Sequence, residues 1–507
     1  MPDLIRHLGR YWMCLLRLPP VGRLEFIPMK NRAGMTILIT SVCKVLKVDT
    51  MAITQELANY CYNLKFQQLP DEVVDRVKYF FLDFIGVCMR GSKENSSKSM
   101  YRFVRKMGRQ GGVVIGTKER VPHLYSALAN GTSAHAIEMD DLNNESSLHP
   151  GVVVFPTALA MSEMVGGTAK KFIEAAILGY EVMIRLGRAA GAENSYKRGF
   201  HPTGTCGSFA SSVAASKILG LNEKGILSAL GIAGSQAAGS MEYLAQGAWT
   251  KRFHAGWAAH SGMVAAQLSR RGFMGPTSII EGRDGFLHAY SNGSEVHKVL
   301  EGLGSGFEIL HTSIKPYGCC RYMHPPIDAV IKIAKENNLS PEEVEKIRVG
   351  ILRAGSQLIA EPIEEKYKPR SIVDAQFSMP FGAAVAVLYR KAGLREFHLS
   401  RIRSEEVKQM MRRVECVTDP DLEKTFPKQW CATAEIFTKD GKKYFTQIEY
   451  CKGDPENALS WDELIDKFHD LSHGLISKNQ RLKIIDQVKS LETIRDLRKW
   501  SPLLLRS

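Results

Sequence analysis

PDEVVDRVKYFFLDFIGVCMRG, residues 70–91, sets the fold class. Val74, Val77, Phe81 and Ile85 recur at spacings of three and four, which places them on one face of a helix, and Gly91 supplies the stop. The stretches 123–141, 152–167, 169–192, 204–219, 222–238 and 255–271 read the same way, several of them rich in Ala, Gly and Ser. Small residues let helices approach closely, and that packing must offset the helix propensity that glycine costs. A tightly packed all-helical domain is therefore predicted over residues 51–304.

After Gly304 the texture changes. FEILHTSIKPYG and EKIRVGIL have the β-branched content of strands, and TAEIFTKDGKKYFTQIEY predicts a hairpin turning at Asp440-Gly441. SPEEVEK predicts a helix start, with Ser340 as cap and Glu343 at the capping-box position. A smaller α+β domain is expected over 305–455, followed by C-terminal helices, 456–507, that return to the helical domain. The fold class is thus mainly α, and 507 residues are too many for one compact core.

With 44% hydrophobic and 24% charged residues the composition is that of a soluble globular protein. The formal charge is +14, but residues 1–50 and 471–507 each carry eight Lys/Arg against three Asp/Glu, so most of the excess sits at the two ends. No basic stripe interleaved with aromatics runs through the middle, and nucleic acid is not expected as a partner. The ten cysteines show no CxxC spacing, and Cys319 and Cys320 are adjacent, which suits neither a zinc framework nor an ordinary disulfide. A reducing, cytoplasmic location follows, with no metal and no cofactor expected. ILITSVCKVL, from Ile37, is too short and too interrupted by Lys44 to span a bilayer, so no membrane association is predicted. Residues 1–50 lack a sustained period. A targeting segment, an extension and an upstream wrong start all fit them, and the functional chain is expected to begin near Met51.

The chemistry gathers in three segments. EMDDLNNESSLHP, 138–150, crowds acids at a helix end, where the macrodipole and mutual repulsion both disfavour them, so one should hold its proton. Helical spacing would put His135, Glu138 and Asp141 on one face with Asp140 pointing elsewhere. A solvated helix end would read similarly, but His149-Pro150 favours a site. GFHPTGTCGSFASSVAAS presents His201 before a small-residue helix start suited to an anion such as a carboxylate. AWTKRFHAGWAAHSG brings Lys251, Arg252, His254 and His260.

Together with NGTSAHAIEMDD, LHPG, GFMGP, EGRDGF, IKPYGCCRYMHPPIDA and VDAQFSMPFGAAVAV, these segments resemble the MmgE/PrpD family from about residue 54 to at least 390. That family includes 2-methylcitrate dehydratase, cis-aconitate decarboxylase and iminodisuccinate epimerase. The resemblance implies a metal-independent enzyme, usually dimeric, with a large helical domain, a smaller α+β lid and a site between them. It implies site roles for Glu138, Asp140, Asp141, His149 and His201, and for Lys315, Arg321 and His324 of the lid. Three departures bear on decarboxylation: Glu138 stands where decarboxylases have aspartate, Leu142 replaces a threonine, and His260 is aligned with a catalytic lysine.

The expected catalytic set is therefore Glu138, Asp141, His149, His201 and His260, with Lys251, His254, Lys315, Arg321 and His324 binding a di- or tricarboxylate. The first expected reaction is dehydration of a 2-methylcitrate-like hydroxy acid, with His149 or His201 as base and Glu138/Asp141 as acid or histidine-orienting pair. Epimerisation of a substituted dicarboxylate, cis-aconitate-type decarboxylation and a silent binding paralogue are the alternatives.

Overall fold

The computed structural model describes residues 53–506. The expectation for residues 1–50 lies outside them. The chain runs through α1 (Ile53–Asn63), α2 (Asp71–Gly91), α3 (Asn95–Val104), α4 (His123–Ala134), α5 (Gly151–Val165), α6 (Ala169–Ala190), α7 (Pro202–Leu219), α8 (Glu223–Gly234) and α9 (Thr250–Arg270). Next come α10 (His324–Glu336), β1 (Val344–Ile351), α11 (Met379–Tyr389), β2 (Val414–Thr418), β3 (Ala432–Thr438) and β4 (Lys443–Ile448), then α12 (Trp461–Ser472) and α13 (Lys478–Lys489), with short turns of helix between them.

Helix α2 is more than amphipathic: every residue from Tyr79 to Met89 is buried. A helix that is apolar nearly all round belongs at the centre of a core. Phe81 there meets Phe84, Phe155, Phe172 and Trp500. The small residues act as expected where α4 crosses α9: a Cβ on Gly256 would lie 2.2 Å from the Leu128 carbonyl oxygen, and one on Gly131 would lie 2.8 Å from the Gly256 Cα. Only bare backbones can approach so closely.

Two large hydrophobic cores result, with a small third one where Tyr101 and Val104 of α3 meet Leu128 and Ala129 of α4. The first gathers α1, α2 and α4 to α9 with the C-terminal helices, α12 packing on α2 through Phe468 and Leu471 against Gly86. The second lies between α10, α11 and one face of a four-stranded sheet in the order β2-β1-β3-β4. Strands β1 and β2 are parallel (Ile347 opposite Val414), and β1, β3 and β4 are antiparallel (Ile347 opposite Ile436, Ile436 opposite Tyr444). The architecture is the mainly α one, with a small α+β unit. The hairpin turns at Asp440-Gly441, where Gly441 takes φ 84°.

Two local readings fail. FEILHTSIKPYG forms a 3-10 turn, Glu308–His311, and then loop, because Ile309 and Ile314 are drawn into the helical core and have no strand to pair with. SPEEVEK makes the bond of a capping box, Ser340 N–H to Glu343 Oε2 at 2.7 Å, yet enters β1 at Val344. Sheet pairing outweighs a cap worth about 1 kcal/mol.

Candidate active site

Helix α4 ends at Ala134, seven residues before the predicted end, with His135 as its C-cap, and Glu138, four residues beyond Ala134, takes φ 57°. This left-handed backbone is unfavourable for a side chain larger than glycine's and persists only where surroundings enforce it. The enforcement is ionic: Lys251 of α9 bonds one oxygen of Glu138, and Lys315 Nζ lies 3.1 Å from the other. Burial alone would raise the Glu138 carboxyl, but the two lysines hold it well below the usual range.

The loop reverses the predicted sharing of faces. Asp140, not Asp141, faces the imidazoles: its Oδ2 is 2.8 Å from His135 Nδ1 and 3.0 Å from His149 Nδ1, and Oδ1 is 3.9 Å from Lys315 Nζ. Burial opposes its ionisation, but His135, His149 and Lys315 keep its acidity well below the ordinary value. Asp141 turns away, accepting from Gly151 N–H at 3.0 Å and from the Tyr180 hydroxyl. Burial pushes its carboxyl up to about 8 against the Tyr180 and Gly151 bonds that favour the charged form, which makes Asp141 the acid of this run readiest to hold a proton. An orienting role for the Glu138/Asp141 pair therefore passes to Asp140.

That proton has a stability consequence. A folded-state value of about 8 against an ordinary 3.8 means that stabilisation is fully present below pH 3.8 and lost as pH rises through 8. Asp141→Asn should flatten the decline of the thermal midpoint between pH 4 and 8, and an unaltered slope would remove Asp141 as its cause.

His149 Nδ1 is 2.7 Å from the Asp141 backbone carbonyl. A carbonyl only accepts, so Nδ1 carries the hydrogen and Nε2 keeps a free lone pair. Burial pulls the ring down to about 4 despite Asp140, leaving a neutral imidazole with its basic nitrogen fixed in direction. Four rings form a row: His149 and His135 centroids are 4.8 Å apart, His135 and His201 5.8 Å and nearly parallel, His201 and His254 5.4 Å. His201 Nδ1 lies 3.2 Å from His254 Nδ1, so one donates to the other. Burial and the neighbouring rings hold His201 well below its ordinary value, and burial brings His254 to about 4. The start of α7 is not an open anion site, since a Cβ on Gly204 would sit 2.4 Å from the Ala238 carbonyl.

A cavity of about 600 Å³ is lined by Glu138, Tyr243, Lys251, Arg252, Gln376 and Phe377 among others, and by none of the four imidazoles, so it reaches the site through Glu138 and Lys251. That suits a citrate-sized ligand. The far wall comes from residues 357–377 of the α+β unit, so the cavity opens between the two cores. Tyr243 stands between cavity and rings, 6.1 Å from His201 and 6.0 Å from His254. The nitrogens of His135 and His149 and an oxygen of Asp140 also lie within 4.8 Å of one another, close enough to hold a cation. In the structure that carboxylate oxygen serves both ring N–H groups.

Glu138, His149, His201, Lys251, His254 and Lys315 are thus brought together, and Asp141 lies directly behind them. His260 is not among them. It stacks on Trp257 at 5.3 Å and faces Tyr125 on the outer side of α9, while Lys251, nine residues earlier, brings its ammonium to Glu138. His260 therefore takes no lysine's place in this site. His324 is fully buried against Tyr317 with Nε2 3.3 Å from the Cys319 carbonyl, and no contact links it to the cluster.

Arg321 is already engaged. Its Nη2 is 2.5 Å from Asp454 Oδ1 and its Nε donates to Asn144 Oδ1 at 3.1 Å, while Asp454 also accepts from Ser313 and Asn144. This clamp ties the loop after the acids to the chain beyond β4. Arg321→Lys should cost about 2 kcal/mol of stability through lost charge-assisted bonds and leave KM unchanged. A raised KM with an unchanged thermal midpoint would return Arg321 to substrate binding. His135 and Asp140 are the central pair that spacing misassigned, and Glu138, Asp140 and Asp141 are all buried.

The chain matches the MmgE/PrpD N-terminal domain over residues 55–298 and the MmgE/PrpD C-terminal domain over residues 317–492. It is similar to a cis-aconitate decarboxylase of Aspergillus terreus, 26% identical over 472 residues, covering 89% of this chain and 95% of that protein. A cis-aconitate decarboxylase of Homo sapiens is 28% identical over 466 residues, covering 89% and 94%. The cis-aconitate decarboxylase-like protein oryM of Aspergillus oryzae is 26% identical over 475 residues, covering 89% and 97%. With both domains matched across most of its length, the chain belongs to the MmgE/PrpD family.

Proposed function

We propose that the chain is a cofactor-independent lyase that removes a proton from a carbon next to a carboxylate of a tricarboxylate, with dehydration of a 2-methylcitrate-like hydroxy acid as its first reaction. The observation that carries this reading is the fixed neutral His149, with Nε2 free and Nδ1 held, beside two lysines that now share Glu138. An incoming substrate carboxylate competes with Glu138 for Lys251 and Lys315. His149 Nε2 then takes the α-proton, the C–H electron pair becomes the carbon–carbon double bond, and the hydroxyl leaves as water with a proton from Lys251. The lysines stabilise the charge that develops on the adjacent carboxylate.

Decarboxylation of cis-aconitate is the second reading, favoured by the similarity to cis-aconitate decarboxylases and by Lys251 lying inside the site. Glu138 and Leu142 remain its departures.

Proton NMR in heavy water with citrate, 2-methylcitrate, cis-aconitate and iminodisuccinate separates the cases. Dehydration gives a new vinyl signal from a hydroxy acid, decarboxylation converts cis-aconitate, and an epimerase washes in deuterium without net reaction. Thermal shift supports the panel, since a ligand at a hundred times its Kd stabilises by about 2.7 kcal/mol. No shift and no turnover with any acid would leave the silent-paralogue reading standing. The expected rate is unchanged by a chelator.

We place the protein in a reducing compartment, on the support of eight unpaired cysteines among the described residues, and as a homodimer, which sedimentation tests. No helix among those residues is long and apolar enough to cross a membrane.

A further inference from the structure

We infer that Lys467, from C-terminal helix α12, is a positioning residue that holds the acidic segment of the site from behind; the inference rests on the site described above. Lys467 is half-buried, its side chain 8% exposed, with Nζ 2.6 Å from Asp83 Oδ1 of α2, and it donates to the Met139 backbone carbonyl at 2.8 Å. Met139 lies between Glu138, whose left-handed backbone needs outside support, and Asp140, which orients His135 and His149. Fixing that carbonyl fixes the Met139–Asp140 peptide plane, and so the direction in which the Asp140 carboxylate leaves the chain. Asp83 is itself 2% exposed, so the ammonium is held at a set depth between two oxygen acceptors. A buried pair serving packing alone would not need a bond to one particular carbonyl of the acid loop, 328 residues away in sequence.

The alternative is a buried ion pair that matters only for folding, and replacing both partners by apolar side chains separates the two. Removing one partner strands a buried charge, whereas removing both is often tolerated. In the Asp83→Leu/Lys467→Met double variant the thermal midpoint should stay near that of the wild type, while kcat falls at least tenfold with KM within threefold. In protein labelled with ¹³C at histidine Cε1, the His149 resonance should also move, because Asp140 is no longer held against the ring. Lys467→Arg provides a second arm: it keeps the ion pair with Asp83 but presents its N–H groups in a different geometry, so kcat and the His149 resonance should again change. Wild-type kcat and an unmoved resonance, in whichever of these variants folds, overturn the inference. If the wild type turns over none of the acids, the proposed reaction fails on its own, and the histidine resonance still decides the role of Lys467.

Discussion

His149→Gln is expected to lower kcat by roughly 10²-fold or more, the usual range for loss of a general acid or base, with KM little changed and the fold intact. Glutamine can still donate to the Asp141 carbonyl, so the turn before α5 keeps its bond, but it offers no basic nitrogen where Nε2 stood. The pH dependence gives an independent check. With the ring at about 4, a neutral base is present at and above neutrality, and kcat/KM of the wild type should be lost as pH falls through about 4. That acid limb should vanish in the variant. Glu145→Gln, whose partly exposed carboxylate pairs with Arg188, is the control and should change turnover little. Near-full turnover by His149→Gln on the true substrate would transfer the base role to His201.

Asp140→Asn should cost about as much or more, on the order of 10³-fold in kcat, by analogy with carboxylates that hold a catalytic imidazole in its tautomer. Asparagine can accept one ring N–H, but it presents an amide donor to the other contact and removes the negative charge shared by His135, His149 and Lys315. Since Asp140 raises the His149 value against the larger effect of burial, its loss should move the acid limb of kcat/KM further down in pH. A kcat within tenfold of wild type, with an unmoved limb, would make Asp140 a structural residue. Circular dichroism and the thermal midpoint must be read alongside, because Lys315 loses one of its two buried counter-charges.

The helical class was legible because helical periodicity is local. The three-and-four spacing in 70–91 and the small residues of α7 and α9 imply packed helices whatever the partners, and the Asp440-Gly441 hairpin announces itself by turn chemistry. Ends and faces were less legible. The acids looked like a continuing helix because their spacing permits one, whereas the helix stops at Ala134, and Lys251 and Lys315, 113 and 177 residues away, hold Glu138 in a left-handed conformation no helix contains. The strand-like run after Gly304 failed similarly, its isoleucines claimed by the helical core.

Sequence alone determined the mainly α class, the α+β unit and the inventory of acids, histidines and lysines of an MmgE/PrpD protein, because these depend on residue type and short-range period. Tertiary structure alone decided which acid meets the rings, that Lys251 enters the site while His260 stays outside, that Arg321 clamps Asp454, and that Lys467 reaches the acid loop. Those pairings join loops and distant helices, where no repeat links sequence position to direction and only the packed chain sets which side chains meet.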